Sequence, residues 1–379
     1  MGRSGAGKAC ICEELLGADE GRRQLTRLER LDRFQRQHVW AGFPLAVIYK
    51  YIDDSGGYLA ALIAYYGFVS FFPLLLLSTT LLGFALAGDP HLQHQVLTSA
   101  LDQFPVVGKQ LSDPSRIGGG AVGLIVGIIG SLYGGLGVAQ AMQYAMNTAW
   151  RVPRNRRLNP LRGRLRSLLL LLLAGGAVLA TTFLSIVGSS GAGSLGDVLQ
   201  GLALAASVVL NAFVFVFVFR KATARVLSVS DVFRGAVAAA LVWQLLQSFG
   251  VIYVASVVKH ASDTNGVFAF VLGLIAFLYL AALALVLCVE ADVVRLDRLW
   301  PRSLMTPFTD QVVLTEGDRR AYTSQVEVQR MKGFERIEVS FTDPTAPAPD
   351  GAAGAVARTH PNPHLHRHPE AAVDPRDRS

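Results

Sequence analysis

Six long apolar stretches, none of which contains Asp, Glu or Lys, constrain the fold of this chain more than any other feature. They run over Tyr58–Leu86, Ile117–Met142, Leu165–Val187, Leu199–Phe219, Val232–Val257 and Gly266–Val289. The hydrocarbon core of a bilayer is about 30 Å thick, and roughly 20 apolar helical residues are needed to cross it. Because a helix also pairs its own backbone groups in lipid, the stretches predict an all-α membrane protein with a six-transmembrane-helix bundle.

The charged residues between the stretches predict the orientation of the bundle. The second connection carries Arg151, Arg154, Arg156, Arg157, Arg162 and Arg164 with no acid. The fourth connection and the segment after the sixth stretch are also rich in Arg, whereas the opposite loops are poor in Lys and Arg. Short loops rich in Lys and Arg stay in the cytoplasm. We therefore expect both termini in the cytoplasm and the chain in the bacterial cytoplasmic (inner) membrane.

The net charge of +7 could by itself indicate a nucleic-acid partner. The arginines, however, lie in inter-helix loops and chain ends rather than on one soluble face. We therefore expect no nucleic-acid partner and predict that anionic membrane lipids bind instead, with a homo-oligomer or envelope-protein partners left open. Three cysteines give no disulfide framework, and residues 1–38 lack the early apolar run of a signal peptide.

The pattern divides the chain into five parts. These are a basic segment (1–38), an interfacial elbow helix (39–57), the six-helix transmembrane domain (58–297), a small cytoplasmic segment (298–343) and a disordered tail (344–379). In the fourth part, alternating patches between Gln311 and Thr342 (QVVLTEG, SQVEVQR, RIEVSF) predict a small β-element. The first outer loop, residues 87–116, is either a short amphipathic helix or hairpin or a plain solvated loop.

The elbow, Val39–Ile52, is apolar but too short to span a bilayer, and it contains Pro44 and Lys50. We expect its Trp40, Tyr49 and Tyr51 to lie at the level of the lipid headgroups. The residues before it alternate Leu with Arg between Arg22 and Arg36, which suits a basic amphipathic helix on an anionic leaflet. An ordinary soluble coil is the competing interpretation.

Within this frame, several residues are recognisable by their order and spacing. The first stretch reads AALIAYYGFVSFFPLLLL, and the second ends in GGLGVAQAMQYAMNTAWRV. The landmarks are Tyr65, Tyr66, Ser70 and Pro73 in the first stretch, Asn147, Trp150 and Arg151 after the second, Asp231–Gly235 at the start of the fifth, Tyr253, Gly266 and Tyr279 further on, and Glu290 closing the sixth. Together they resemble the YihY/BrkB family of inner-membrane proteins, formerly named after ribonuclease BN, over roughly residues 40–297.

The resemblance implies the same six-helix fold and an association with cell-envelope integrity. One departure is Val289, which stands where the family often has Gly before the acidic residue. The historical ribonuclease name finds no support in the residues of this chain.

Motifs for enzyme chemistry are weak. Gly2–Lys8 fits the start of a P-loop, but no strand can precede it and Ala9 occupies the hydroxyl position, so we interpret it as a chance match. The histidines between His360 and His368 lie in a Pro-rich tail that offers no rigid scaffold for a metal. We therefore expect no enzyme activity, no metal site and no cofactor.

Candidate substrate-binding or gate residues come from the polar positions of the bundle and its cytoplasmic face. They are Tyr65, Tyr66, Ser70, Pro73, Asn147, Arg151, Arg154 and Glu290. The intramembrane ones also suit structural hydrogen bonds between helices. Acids at a helix C-terminus oppose the helix dipole, so Glu290 and Asp292 should have a cation nearby. We expect it to be an arginine of the 151–166 loop or Arg220, in an ion-pair cluster that is either structural or a phosphate-facing gate.

The second stretch also carries a small residue at every fourth position: Gly119, Gly123, Gly127, Ser131 and Gly135. Such a stripe predicts close helix packing, and a hinge or lipid-tail groove is the alternative.

Three functional hypotheses follow from these features. The first is a transporter or flippase for an anionic lipid or polyprenyl-linked precursor, the second a non-transporting scaffold for envelope machinery, and the third, a remote one, a membrane-associated ribonuclease.

Overall fold

The computed structural model describes residues 30–85, 120–189, 193–258, 263–310 and 312–342. The outer loop, the P-loop-like run, the histidine-rich tail and most of the basic N-terminal segment lie outside the described residues, so the predictions for them stay predictions. Residues 30–37 are helical, as the amphipathic-helix interpretation of that segment predicts for its last part.

The described residues form eight further helices. They are α1 (Val39–Asp53), α2 (Gly56–Ala85), α3 (Gly120–Ala149), α4 (Pro160–Ser189), α5 (Gly193–Ala222), α6 (Val229–Val258), α7 (Asp263–Leu296) and α8 (Glu316–Glu327). Six of these, α2 to α7, are long and apolar enough to cross a membrane, which confirms the predicted number of spans. The helices are longer than the apolar stretches. For example, α3 continues from Met142 to Ala149 because Gln143 and Asn147 find hydrogen-bond partners inside the bundle.

The six long helices form a closed ring. Each packs against its neighbours in sequence, and α7 returns to pack against α2. The short helix α1 lies against α7 and α2. The main apolar core, which includes Met146, Phe219 and Val293, sits where α3 and α7 end and α6 begins. We call this end of the bundle the basic end, and it also carries α1, the α3–α4 loop (150–159) and the α5–α6 loop (223–228).

A glycine seam joins α2 to α3. Four glycines of α3 face four residues of α2, in the order Gly127 with Leu77, Gly130 with Pro73, Gly134 with Ser70 and Gly137 with Tyr66. A methyl group on any of these glycines would lie within 3.0 Å of the α2 atoms opposite. The two backbones can approach this closely only because α3 has no side chains there.

The close packing predicted for the small-residue stripe is found at Gly127 and Gly135, but the two glycines face different helices. Gly127 lies in the seam, but Gly135 faces Leu171 of α4 instead of α2. Gly119 lies outside the described residues. The contact rows on α3 alternate between spacings of three and four, as 3.6 residues per turn require, so a strict spacing of four drifts around the helix.

Burial is uneven around the ring. In the most apolar stretch of α2 and of α7, 33% of the residues are buried. In the corresponding stretch the buried share is only 11% for α4 and 6% for α5. Large apolar side chains such as Leu179 and Phe183 on α4 and Val209 and Phe213 on α5 are mostly exposed. The α4–α5 pair therefore presents most of its surface outwards.

The prediction of a β-element between Gln311 and Thr342 is wrong: the described residues of this segment contain no strand, and α8 occupies its middle. Helix α8 begins with a capping box, in which the Thr315 hydroxyl accepts from the backbone N–H of Asp318 and the Asp318 carboxylate accepts from the backbone N–H of Thr315. This local signal starts a helix, and it outweighs the short alternating patches.

The elbow is a helix, as predicted, and its three aromatic side chains have different environments, while their level in the bilayer stays a prediction. Trp40 is exposed, whereas Tyr49 is buried and donates a hydrogen bond to the carbonyl of Leu304 at 2.9 Å. Tyr51 packs on the core. Helix α1 is thus anchored in protein along its C-terminal half.

Candidate functional site: a buried charge cluster at the basic end

Two oppositely charged side chains meet inside the basic end. Lys50 of α1 and Glu290 of α7 both have fully buried side chains, and the Lys50 Nζ lies 2.7 Å from the Glu290 Oε2. The Lys50 ammonium also donates to the carbonyl of Ala149 at the end of α3, at 2.8 Å, and pairs with Asp54. One ammonium group therefore joins α1, α3 and α7.

Arg151 extends the cluster towards α8. It follows the end of α3 with a left-handed backbone (φ 49°), and its guanidinium lies 3.8 Å from Asp54. It also donates hydrogen bonds to the carbonyl of Ala321 and to the Ser324 hydroxyl of α8. With Lys50, Arg151, Asp54 and Glu290, the cluster contains two cations and two carboxylates.

The charges of the cluster balance, but not every buried polar atom in it has a hydrogen-bond partner among the described residues. The Glu290 Oε1 has no hydrogen-bond partner among the described residues, although the side chain is fully buried. An apolar void of about 10 Å³ lies between α3 and α7, lined by Met142, Ala145, Met146, Ala149, Val286 and Val289.

The prediction of the cation for Glu290 is partly confirmed: Arg151 of the 151–166 loop does belong to the cluster, but it is not the direct partner. The direct partner is Lys50, with Arg151 one step away through Asp54, and Arg220 instead donates to the carbonyl of Leu227 at 2.9 Å. Asp292 pairs with Arg295 at 3.2 Å and accepts from the backbone N–H of Gly235. An ion-pair cluster at this end was predicted correctly, but its main cation was missed.

A signal for Lys50 was present in the sequence. It is the only charged residue of VWAGFPLAVIYKYI and stands four residues before Asp54, which is the spacing of a helical ion pair. The elbow was interpreted as interfacial, and a lysine there is expected to extend towards water. Burial of α1 against α7 removes that option, so Lys50 must find carboxylates inside the protein.

Asn147 positions the end of α3. Its side-chain amide donates to the carbonyl of Gln143 at 2.8 Å, and its Oδ1 accepts from the backbone N–H of Ala224 in the α5–α6 loop at 2.8 Å. It thereby ties α3 to this loop, one turn before Arg151.

Four of the other predicted site residues lie away from the cluster. Tyr66, Ser70 and Pro73 fill the glycine seam, and Ser70 donates to the carbonyl of Gly67 in its own helix. Since Tyr66 faces Gly137, it lies roughly 18 Å along α3 from Ala149. Tyr65 is 61% exposed on the outside of α2. These positions have structural contacts and do not line a common site with Glu290.

Arg154 is exposed in a short 3₁₀ turn, Arg154–Arg156, with its backbone N–H on the carbonyl of Val328. It belongs to a rim of exposed cations around the basic end. The rim comprises Arg154, Arg156, Arg162, Arg164, Arg220, Lys221, Arg225 and Arg234.

A second buried charge group lies beside the first. The Arg302 guanidinium is buried between the rings of Tyr49 and Tyr322 and contacts Asp53 at 3.1 Å and Asp318 at 2.6 Å. Burial acts to lower the pKa of Arg302, but the two carboxylates outweigh it and raise the pKa above its ordinary value. The group joins the end of α1 to the start of α8.

Comparison with known families identifies the family of this chain. The family described as virulence factor BrkB matches residues 47–305, which is more than half of the chain. The chain belongs to the BrkB family. No curated protein and no solved structure gave a match.

The BrkB match contains the whole buried cluster, since Lys50, Asp54, Arg151 and Glu290 all lie inside residues 47–305. It also contains Arg302 but ends before α8, which supplies one of the two carboxylates on that arginine. The BrkB region of this chain therefore forms an ion pair with a segment that lies beyond the family match.

Proposed function

We propose that this BrkB-family protein is a transporter of the bacterial cytoplasmic membrane that moves an anionic lipid or polyprenyl-linked precursor. In this proposal the basic end faces the cytoplasm, as do both termini, and the buried Lys50–Glu290 pair forms a gate there. The fully buried pair, at a point where α1, α3 and α7 meet, is the observation that carries the proposal.

A buried ion pair is a poor way to stabilise a bundle. Removing two charges from water costs several kcal/mol per ion, and an apolar pair of similar volume is often as stable or more so. Hydration of the two charges compensates for separating them, whereas separated apolar groups gain nothing from water. A charged contact between helices therefore suits a closure that opens and closes again. The unpaired Oε1 of Glu290 favours the same view, because it would gain a hydrogen bond on opening.

The rest of the bundle suits an amphiphilic substrate. The poorly buried α4–α5 pair offers apolar surface that acyl or prenyl chains can contact. The rim of exposed arginines at the basic end suits phosphate groups, which guanidinium binds with two parallel hydrogen bonds. Anionic lipid is accordingly the partner we propose, and nucleic acid is not.

Reconstitution tests this function. Purified protein is inserted into liposomes that contain fluorescent phosphatidylglycerol or polyprenyl phosphate, and movement between leaflets is followed by chemical quenching. Glu290→Gln should change the rate while leaving membrane insertion intact. Glu338→Gln is the matched control, because it makes the same change of a carboxylate to an amide at an exposed position away from the cluster and the rim. Absence of movement above empty vesicles for every anionic lipid would contradict the transport proposal.

The orientation has its own test. Reporter enzymes that work only in the cytoplasm should be active when they are fused into the loop around Arg156. Reporters that work only outside the cytoplasm should be inactive there. An external signal from that loop would overturn the placement of the basic end and the gate together.

A scaffold function is the second candidate, and exposed apolar side chains favour it. Phe308 is 79% exposed and Phe334 is 91% exposed in the segment after α7. Truncation of residues 303–379 does not separate the two functions, because it removes Asp318 from the buried Arg302. Affinity capture with Phe308→Ser and Phe334→Ser variants is the cleaner test, since these side chains leave the buried contacts in place. Loss of captured envelope proteins with unchanged lipid movement would favour the scaffold.

Enzyme activity is not part of this proposal. Among the described residues, no three His, Cys, Asp or Glu side chains are grouped so that they could hold a metal ion. RNA cleavage by purified protein with added divalent metal would revive the remote ribonuclease hypothesis.

A further inference from the structure

The segment after α7 turns back across the basic end. Three backbone groups in it bond to the residues around α1: the Leu304 N–H donates to Asp32 at 2.7 Å, the Leu304 carbonyl accepts from Tyr49, and the Arg302 carbonyl accepts from Gln35. Helix α8 follows, and the buried Asp318 at its start holds the Arg302 side chain.

Helix α8 also reaches the α3–α4 loop. Arg151 donates to Ala321 and Ser324 near the middle of α8, and the backbone N–H groups of Arg154 and Asn155 donate to carbonyls just beyond it, each at 3.2 Å. A third link returns to α1, where the Gln325 amide donates to the carbonyl of Asp53 at 3.0 Å. The segment therefore bonds to α1, which carries Lys50, and to the loop that follows α3.

The two charge groups share one turn of the chain. Asp53 binds Arg302 in the α8 group, and its neighbour Asp54 binds Lys50 and faces Arg151 in the Glu290 group. Any movement of α1 away from α7 would have to displace both carboxylates. Such a movement must consequently break contacts with α8 as well as the Lys50–Glu290 pair.

The attachment of α8 is polar rather than apolar. Within α8 itself only Gly317, Asp318 and Ala321 are buried, and its links to α1 and the α3–α4 loop are hydrogen bonds and ion pairs. A helix held in this way can leave and return without exposing a large apolar face, which suits a reversible contact.

We infer that residues 302–310 and 312–330 form a clamp that holds the Lys50–Glu290 contact closed from the cytoplasmic side. Release of α8 frees Asp53 and Arg151, and α1 then separates from α3 and α7. The inference rests on the proposed gate, but it concerns how the contact is controlled and not what passes through it.

Hydrogen exchange measured by mass spectrometry on the full chain in phosphatidylglycerol nanodiscs tests the clamp. The double variant Ser324→Ala/Gln325→Ala removes two of its hydrogen bonds without leaving a buried charge unpaired. Amides of residues 47–55 and 286–292, which lie around the Lys50–Glu290 pair, should exchange about tenfold faster than in the unmodified protein. Amides of the glycine seam, residues 127–137, should not change. Asp318→Asn should give a larger effect of the same pattern.

Arg319→Gln is the matched control, since it changes an exposed charge of α8 that bonds neither to α1 nor to the α3–α4 loop, and it should have no effect. Faster exchange confined to residues 316–330, an equal rise in the seam, or no change in any region would each overturn the clamp. The measurement needs no substrate. A clamp pattern in a protein that moves no lipid would therefore defeat the transport proposal alone.

Discussion

The α2–α3–α7 side of the ring and the α4–α5 side are built from similarly apolar helices but are packed in different ways. On the first side, glycines bring two backbones into contact, and buried charges tie the helix ends together. On the second side, few residues are buried and large apolar side chains face outwards. The difference shows that apolar composition is sufficient to make a helix a candidate membrane span. Glycines and paired charges determine which of the helices pack tightly against one another.

The largest expected effect tests the charged part of the fixed side. Lys50→Met leaves Glu290 buried without its cation, and it should lower the free energy of unfolding by about 3–5 kcal/mol. Lys50→Met combined with Glu290→Leu should recover most of this loss, because no carboxylate at position 290 then remains unpaired. Thermal unfolding in detergent measures both. Equal losses in the single and double variants would show that size, and not charge, matters here.

The glycine seam gives the next largest effect. In Gly134→Ala the added methyl group meets the backbone of Ser70, which cannot move aside, and overpacking of this kind costs about 1–3 kcal/mol. Gly175→Ala on α4 meets no atom within 4 Å and should be neutral or slightly stabilising. The comparison is made by the midpoint of thermal unfolding. If both variants unfold alike, the seam is not a rigid contact.

Exposed charges at the same end should contribute little. Arg225→Gln removes one partner of a solvent-accessible pair with Asp297, and such pairs contribute about 0–1 kcal/mol. The loss of unfolding free energy caused by Arg225→Gln should also become smaller as salt is added. A loss comparable with that of Lys50→Met would mean that burial does not distinguish the two ion pairs.

The smallest effect is expected on the open side. Leu179 of α4 is 73% exposed, so Leu179→Ala should change the free energy of unfolding by less than about 0.5 kcal/mol. Unfolding in detergent and in nanodiscs should agree. A loss of 2 kcal/mol or more, as for a core leucine, would indicate that another protein surface covers α4.

The number and order of the spans could be predicted because each depends on local composition alone. The candidate site was only partly predictable, since its partners come from distant parts of the chain. Arg151 and Glu290 were identified and do lie in one cluster, but Lys50 was placed at an interface because its burial depends on the packing of α1 against α7. Tyr66 and Ser70 were candidates for their polarity, and their positions are explained by the glycines opposite them.

The segment after α7 shows a different limit. Its short alternating patches suggested strands, whereas the capping box at Thr315 and Asp318 favoured a helix. Both signals are local, and the capping box outweighs the alternating patches. The choice also depends on Arg302, which needs a buried carboxylate and finds it in Asp318.

The adjacent acids Asp53 and Asp54 make the junction between α1 and α2 unusually intolerant of changes in length. Successive residues on a helix point about 100° apart, so one residue inserted between Lys50 and Asp53 would move Asp53 to the position that now meets Lys50, and one residue deleted there would move Asp54 to the position that now meets Arg302. Insertions are well tolerated in most surface turns, because the added residues extend into solvent and lengthening a loop costs little free energy. Here the register of a single turn determines which basic group each acid meets.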